Sequence, residues 1–449
     1  MQTEGNNGNE QRLQRKLDLL LQAGIVLLES AADTNRIVRN MKRIGAFLGL
    51  DDQHLHIDVL YGSISVNYSD VAHSFSKTAQ TDKYTINMKA LSAISKLSWR
   101  AIQKDYTMTM FAKELERIRR MKSDFPLWMV TLGAALGCGG FSVCFGGDWG
   151  SFVPATIAGL VGFAVRAMML RERFNFYMLT ALSAFVATLT AWAMSFLFEG
   201  LTETPYHPFL SCALFLVPGV ALINFLDDML DHYPTMGIAR MALAIVQVAS
   251  MTFGIVLAVQ VCGVTDFLTT VSVRPDHPYW VYVVTTAVSA MGFGMIFNVP
   301  RRVLPIVALC GVTAMCTRNF LAFDLDLGLV IGSLAGATLA SLMAVRLVHT
   351  VHTPNHVITI PSVIPMVPGI LMYRGVFGLV QTSTDIAILI TSINNLITAG
   401  LIVLCISVGV AIPNIFARRW IAADRKIHLQ KLIEERRSRG KFVNLSDFD

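Results

Sequence analysis

Residues 126–145 read Pro126-Leu-Trp-Met-Val-Thr-Leu-Gly-Ala-Ala-Leu-Gly-Cys-Gly-Gly-Phe-Ser-Val-Cys-Phe145, without one charged side chain. A helix that crosses a bilayer needs ~20 predominantly apolar residues, and this stretch supplies them in one run. Comparable runs follow at Phe152–Met169, Phe176–Phe198, Phe209–Leu226, Gly237–Val264, Trp280–Val299, Val303–Cys316, Leu327–Val348, Val357–Leu379 and Ile386–Ile412. The expected fold is therefore a mainly α polytopic membrane protein with about ten transmembrane helices. Composition agrees: 53% of residues are hydrophobic, 15% are charged and mean hydropathy is +0.53. A soluble domain carries about a quarter charged residues.

Upstream the pattern changes. Residues 1–10 are polar and read as a disordered tail. From Gln11, Leu13, Leu17, Leu20, Leu21 and Ile25 recur at helical spacing, with Ser30 or Asp33 placed to break or cap the run. A second amphipathic helix carries Ile37, Met41 and Leu48. Leu55–Tyr61 and Ser63–Tyr68 alternate around Gly62 and predict a small antiparallel sheet, with two more helices behind it. Residues 11–122 thus form a cytosolic α+β domain, 126–264 and 280–412 the membrane part, and 416–449 a basic cytosolic tail.

The formal charge of +6 does not point to nucleic acid. Lys and Arg cluster beside the spans, as cytoplasmic loops require, and no sequence-reading module appears. Arg117, Arg119, Arg120 and Lys122 precede the first span, Arg171 and Arg173 follow the second, and Arg301, Arg302, Arg346 and the tail from Arg418 fall on the same side. Arg274, Arg318 and Arg374 fall on the other. Both termini are expected in the cytosol. Cys138, Cys144, Cys212, Cys262, Cys310, Cys316 and Cys405 lie in spans without CxxC spacing and read as packing residues rather than metal ligands.

Comparing the membrane part with itself reveals a duplication. Gly140-Phe141-x-x-x-Phe145 recurs as Gly292-Phe293-x-x-x-Phe297, and 292 − 140 = 152. Gly159 and Arg166 recur as Gly311 and Arg318 at the same shift. Ser183 and Ala187-Thr-Leu189 recur as Ser333 and Ala337-Thr-Leu339, and Val217-Pro-Gly219 as Val367-Pro-Gly369, at a shift of 150. Each half holds five spans, an odd number, so the halves are expected to sit inverted across the bilayer. Inverted repeats are the signature of secondary transporters, whose substrate sits near mid-membrane between matched broken helices.

The segment Ala23–Arg36 followed by a small sheet, Phe145-Gly-Gly-Asp148, the Val-Pro-Gly of span four and Ile364-Pro-Met-Val-Pro-Gly369 together resemble the threonine/serine exporter family, over about residues 20–412. Some members of that family divide the two halves between separate chains; here they look fused. The resemblance implies proton-motive export of threonine and serine across the bacterial inner membrane, with dicarboxylate (succinate) export as the alternative that the split relatives suggest. A membrane-tethered enzyme or sensor acting through the cytosolic domain is the reading from another class, with His54, His56, Asp58, His73 and Ser74 as its only candidates and no nucleophile elbow to support it.

Within this frame the substrate site is expected at Pro218, Gly219 and Asn224 in span four and at Pro368, Gly369 and Arg374 in span nine, with Asn394 and Asn395 from span ten. Proline frees a carbonyl and glycine admits a close neighbour. Arg374 could hold a substrate carboxylate in two parallel hydrogen bonds, or snorkel to the outer surface. Asp227, Asp228 and Asp231 are candidates for proton coupling, because a carboxylate at the apolar boundary is costly to keep charged; the plainer reading is a wet cytoplasmic loop. Gln247, Asn394 and Asn395 also read as helix-joining amides, and the Gly133/Gly137 and Gly332/Gly336 pairs as close packing. Trp128, Tyr279 and Trp280 read as interfacial anchors. His349, His352 and His356 lack a Cys or acidic companion, so no metal is expected. No P-loop is present, which argues against a self-contained ATP-driven pump, and no cofactor is called for. The expected partners are a small-molecule substrate and the lipid bilayer; a homo-oligomer is left open.

Overall fold

Apolar residues at three- and four-residue steps build the N-terminal helices. In the computed structural model, which describes residues 2–69, 74–264, 277–351, 353–381 and 386–438, α1 (Gln2–Glu29) and α2 (Thr34–Phe47) meet along Leu17, Leu20, Leu27, Ile37, Met41 and Ile44, all buried. Polar residues 2–10 form the first turns of α1. Gly24 lets the two helices touch, since a Cβ there would lie 2.6 Å from Met41 Sδ. Asp33 caps α2, accepting the Arg36 N–H at 2.8 Å, as an N-cap carboxylate should. Helix α1 packs on β2 (Ser63–Ser69) and β3 (Ser74–Gln80), and α2 on β1 (Leu55–Leu60). The antiparallel sheet runs in the order β1-β2-β3. A two-residue turn at Tyr61-Gly62 joins β1 to β2, with Gly62 at φ +84°, a conformation glycine adopts without a Cβ clash.

The sheet has one strand more than the sequence pattern predicts. Strand β3 is mostly polar, Ser-Phe-Ser-Lys-Thr-Ala-Gln, and carries no apolar alternation to announce it. Its pairing with β2 supplies what its side chains do not. Helices α3 (Met88–Gln103) and α4 (Met108–Arg119) complete this unit, which comprises Met1–Ser123, Asp227–Ala239 and Ile415–Asp449.

The second unit, Asp124–Leu226 with Arg240–Asn414, is helical. Its elements come in one order twice. Three long helices, α5 (Leu127–Cys144), α6 (Trp149–Arg171) and α7 (Phe176–Leu197), lead to short α8 (His207–Ser211), a 3-10 turn at Leu214–Leu216, α9 (Gly219–Leu230) and long α10 (Pro234–Val261). The series α11 (Tyr279–Ile296), α12 (Leu304–Asn319), α13 (Gly328–Val351), α14 (His356–Val363), a 3-10 turn at Ile364–Met366, α15 (Gly369–Gln381) and α16 (Ile386–Ser438) repeats it. Among the described residues, eight helices are long and apolar enough to cross a membrane, or ten if each bent pair counts as one span. Large apolar side chains point outward along them, including Phe253, Leu257 and Val261, as a lipid-facing surface requires.

Helices α5 and α11 run antiparallel in backbone contact. A Cβ on Gly292 would lie 2.2 Å from Gly133 O, and one on Gly140 would lie 2.7 Å from Thr285 O. Between them Ser289 Oγ donates to Gly137 O at 3.2 Å. Small residues allow this approach, which in lipid is a principal source of helix association. The seven cysteines are free thiols.

Candidate functional site

The two Pro-Gly sequences break their helices in the same way. Proline cannot donate, so the backbone at Val217 and Val367 turns to extended angles, φ −62° ψ 127° and φ −61° ψ 127°. The Gly219 N–H turns back on Val217 O at 2.8 Å, and Gly369 on Val367 O at 2.8 Å. The helix axes change direction by 57° at the first break and 51° at the second. Helix breaks of this kind are tolerated at membrane depth only where protein or a cavity receives the freed backbone. At the first break Gln247 Nε2 donates to the freed Leu216 carbonyl at 2.6 Å. Gln247 thus joins helices, as its amide suggests.

The breaks also meet each other. A Cβ on Gly219 would lie 2.4 Å from Ile364 Cδ1 and 3.6 Å from Val367 Cγ2. A Cβ on Gly369 would lie 2.8 Å from Leu214 Cδ2 and 2.9 Å from Val217 Cγ2. Since 214, 217 and 219 correspond to 364, 367 and 369 at a shift of 150, each contact appears twice with the halves exchanged. The junction is closed and apolar: the space that each glycine opens is filled by the other half.

The remaining expected residues are distributed unevenly. Asn224 is buried and Arg374 half-buried. Asn394 is exposed and Asn395 half-buried on α16, and neither makes a side-chain hydrogen bond among the described residues. Helix α9 runs without interruption from Gly219 to Leu230, so Asp227 and Asp228 close it and belong with the first unit. Asp228 Oδ1 accepts the Thr34 N–H at 2.8 Å, and Asp231 Oδ2 accepts Asn35 Nδ2 at 2.6 Å. Asp227 and Asp228 are 6% and 1% exposed; they do not lie in an open aqueous loop. Beside them the Tyr233 hydroxyl is pushed up by burial and then by Asp231 and Asp228, against the pull of Arg39.

Thr34 and Asn35 were not legible as partners of these carboxylates. The signal was indirect: Thr34 follows an N-cap aspartate, so its amide needs an acceptor that a second carboxylate can supply. Ser183 and Ser333, matched in the duplication, are both buried with hydroxyls that find no partner among the described residues. Arg318, expected at an outer position, is only 4% exposed. His73, His352 and Arg274 lie outside the described residues.

A bundle of eight to ten candidate spans with two interrupted helices meeting inside it defines a class: a polytopic membrane protein with paired helix breaks. Comparison with known proteins narrows it. Residues 18–262 match the model described as "Putative threonine/serine exporter", and residues 282–416 match "Threonine/Serine exporter, ThrE". The chain belongs to the threonine/serine exporter family, and it is a transporter, not an enzyme. It is 21% identical over 416 residues, 90% of this chain and 82% of the relative, to the threonine/serine exporter of Corynebacterium glutamicum. It is 25% identical over 245 residues, 55% of this chain and 93% of the relative, to a probable succinate transporter subunit, YjjP, of Klebsiella aerogenes. No solved structure matches.

Proposed function

We propose that this chain is a secondary exporter of small hydroxy-amino acids, threonine and serine above all, built from two inverted repeats that expose the region of the Pro218-Gly219 and Pro368-Gly369 breaks to one face of the bacterial inner membrane and then the other. The observation that carries this reading is the reciprocal contact set of Gly219 with Ile364 and Gly369 with Leu214. Two halves that make the same contacts on each other have two equivalent arrangements open to them, which is what alternating access needs. The antiparallel packing of α5 on α11, the first helices of each half, supports the inversion. Family membership and likeness to the Corynebacterium glutamicum exporter support the substrate class.

Export is driven by the proton gradient in this reading. Asp227, Asp228 and Asp231 are the carriers, and the bonds at Asp228 and Asp231 give the proton something to act on. Protonating Asp228 removes the charge that holds the Thr34 amide and weakens that bond, because hydrogen bonds to ionised acceptors are about twice as strong. Both termini are in the cytosol, where the first unit lies.

The second reading is dicarboxylate export, favoured by likeness to the succinate transporter subunit over the first half of the chain. Counterflow of labelled threonine, serine and succinate in proteoliposomes separates the two. Threonine and serine exchange without succinate supports the first reading; succinate exchange alone overturns it. An imposed proton gradient should drive threonine accumulation in the wild type and fail to do so in Asp228→Asn, while exchange persists. A pH dependence unchanged in that variant removes Asp228 from the coupling.

A further inference from the structure

We propose that Arg318 and Asn319 bind the carboxylate of the transported substrate, and that Arg166 is the corresponding residue of the other half; this rests on the export reading above.

Arg318 closes helix α12 and is 4% exposed. Its Nε and Nη2 both donate to Asn319 Oδ1, at 3.2 and 3.1 Å, and its guanidinium lies 5.9 Å from the centre of the Phe145 ring. No carboxylate pairs with it among the described residues. Asn319 is 3% exposed, and its Nδ2 is buried with no acceptor. A buried cation and a buried amide donor, bonded to each other, thus share a shortage of acceptors. One carboxylate, with about four lone-pair sites, supplies it.

The structural explanations leave the Arg318 charge without an opposite charge and the Asn319 Nδ2 without an acceptor. Holding an ion out of water without a counter-charge costs several kcal/mol. A cation–π contact returns about 0.5–2 kcal/mol. A snorkelling arginine keeps its head in water, which Arg318 does not. An ionisable group retained at such cost inside a membrane bundle is by default a functional one.

Two independent features point to the same place. The chain leaves α12 through a π-helical turn, Phe320–Asp324, with Leu325 N donating to Phe320 O at 3.1 Å. The π-helix is a rare conformation that recurs at functional sites; here it ends the helix. The duplication supplies the second. At a shift of 152, Arg166 of α6 corresponds to Arg318; its Nε is buried without a partner, and its guanidinium lies 5.7 Å from the Phe163 ring, again with no carboxylate among the described residues. In inverted halves, the two arginines would serve opposite faces.

The test uses the whole protein in liposomes of zwitterionic lipid only, so that no anionic headgroup can occupy the site. Counterflow of labelled threonine is measured with unlabelled threonine or threoninamide, which lacks the carboxylate, as competitor. Arg318→Gln should raise the KM for threonine about tenfold to a hundredfold, the range expected for a hydrogen-bonded charge, and abolish the preference for threonine over its amide. Arg318→Lys should restore part of that preference. Asn319→Asp covers the case in which the glutamine variant fails to fold, because it gives Arg318 an internal carboxylate. It should raise the melting temperature and weaken threonine binding together. If the folded variants keep the wild-type KM and the wild-type preference over the amide, the carboxylate does not bind at Arg318. If the wild type itself carries none of threonine, serine and succinate, the export reading has failed and this one with it.

Discussion

Asp228 and Thr34 are joined by a hydrogen bond of 2.8 Å between the Asp228 Oδ1 and the Thr34 backbone N–H, across 194 residues of sequence. The amide belongs to the first turn of α2, where backbone donors lack helical acceptors. The helix that carries Asp228 is the one that begins at the Pro218-Gly219 break.

Removing this acceptor should loosen the start of α2. Asp228→Ala leaves a buried amide unsatisfied, a cost of about 1–3 kcal/mol, whereas Asp228→Asn keeps an oxygen in place and should cost about 1 kcal/mol or less. Hydrogen exchange at Thr34 in the full-length protein reads the bond directly. An amide equally protected in wild type and Asp228→Ala would show that Asp228 does not hold it.

Asp148 gives a pH-dependent case outside the spans. Burial raises its carboxyl, but donors from Thr202 Oγ1 at 2.7 Å, Glu203 N, Thr204 Oγ1 and Ser151 N at 2.8 Å outweigh it and hold the group below the ordinary 3.8. A depressed carboxylate stabilises the fold at pH values above its unfolded pKa and loses that contribution as pH falls through its folded value. Asp148→Asn keeps the N-cap oxygen but loses the charge, so it should be less stable than wild type at neutral pH by a fraction of about 1 kcal/mol. The difference should shrink below pH 3.8. Unfolding curves for the two proteins that stay equally separated from pH 7 to about pH 3 would contradict the assignment.

The glycines should separate by what faces them. A methyl on Gly292 meets the Gly133 carbonyl oxygen at 2.2 Å, and backbone cannot step aside. A methyl on Gly219 meets the far end of Ile364 at 2.4 Å, which can rotate. Gly292→Ala should thus cost about 3 kcal/mol, the upper range for overpacking, and Gly219→Ala about 1 kcal/mol. Pairing Gly219→Ala with Ile364→Val, which removes the opposing Cδ1, should recover most of the loss. Thermal unfolding of the four proteins in one detergent checks the order, and equal losses at Gly219 and Gly292 would refute it.

What could be read from the sequence follows from how local each signal is. The spans, the Pro218-Gly219 and Pro368-Gly369 breaks and the turn at Gly62 are written in consecutive residues, because hydrophobic length, a missing donor and a missing Cβ act where they stand. Strand β3 is stabilised by pairing with β2, so its own residues say little. Asp227–Ala239 belongs with the N-terminal unit through bonds to residues nearly two hundred positions away, and hydropathy sees only charges beside a span. Arg318 illustrates the same limit: a shift of 152 marked it as repeated, and a charge count placed it outside, but only packing reveals that it is buried.

Gly137 and Ser289, bonded across the α5–α11 seam, are separated by the shift that relates Gly140 to Gly292. Each therefore touches its own counterpart. Along this seam a change at either residue alters the surroundings of its twin at once.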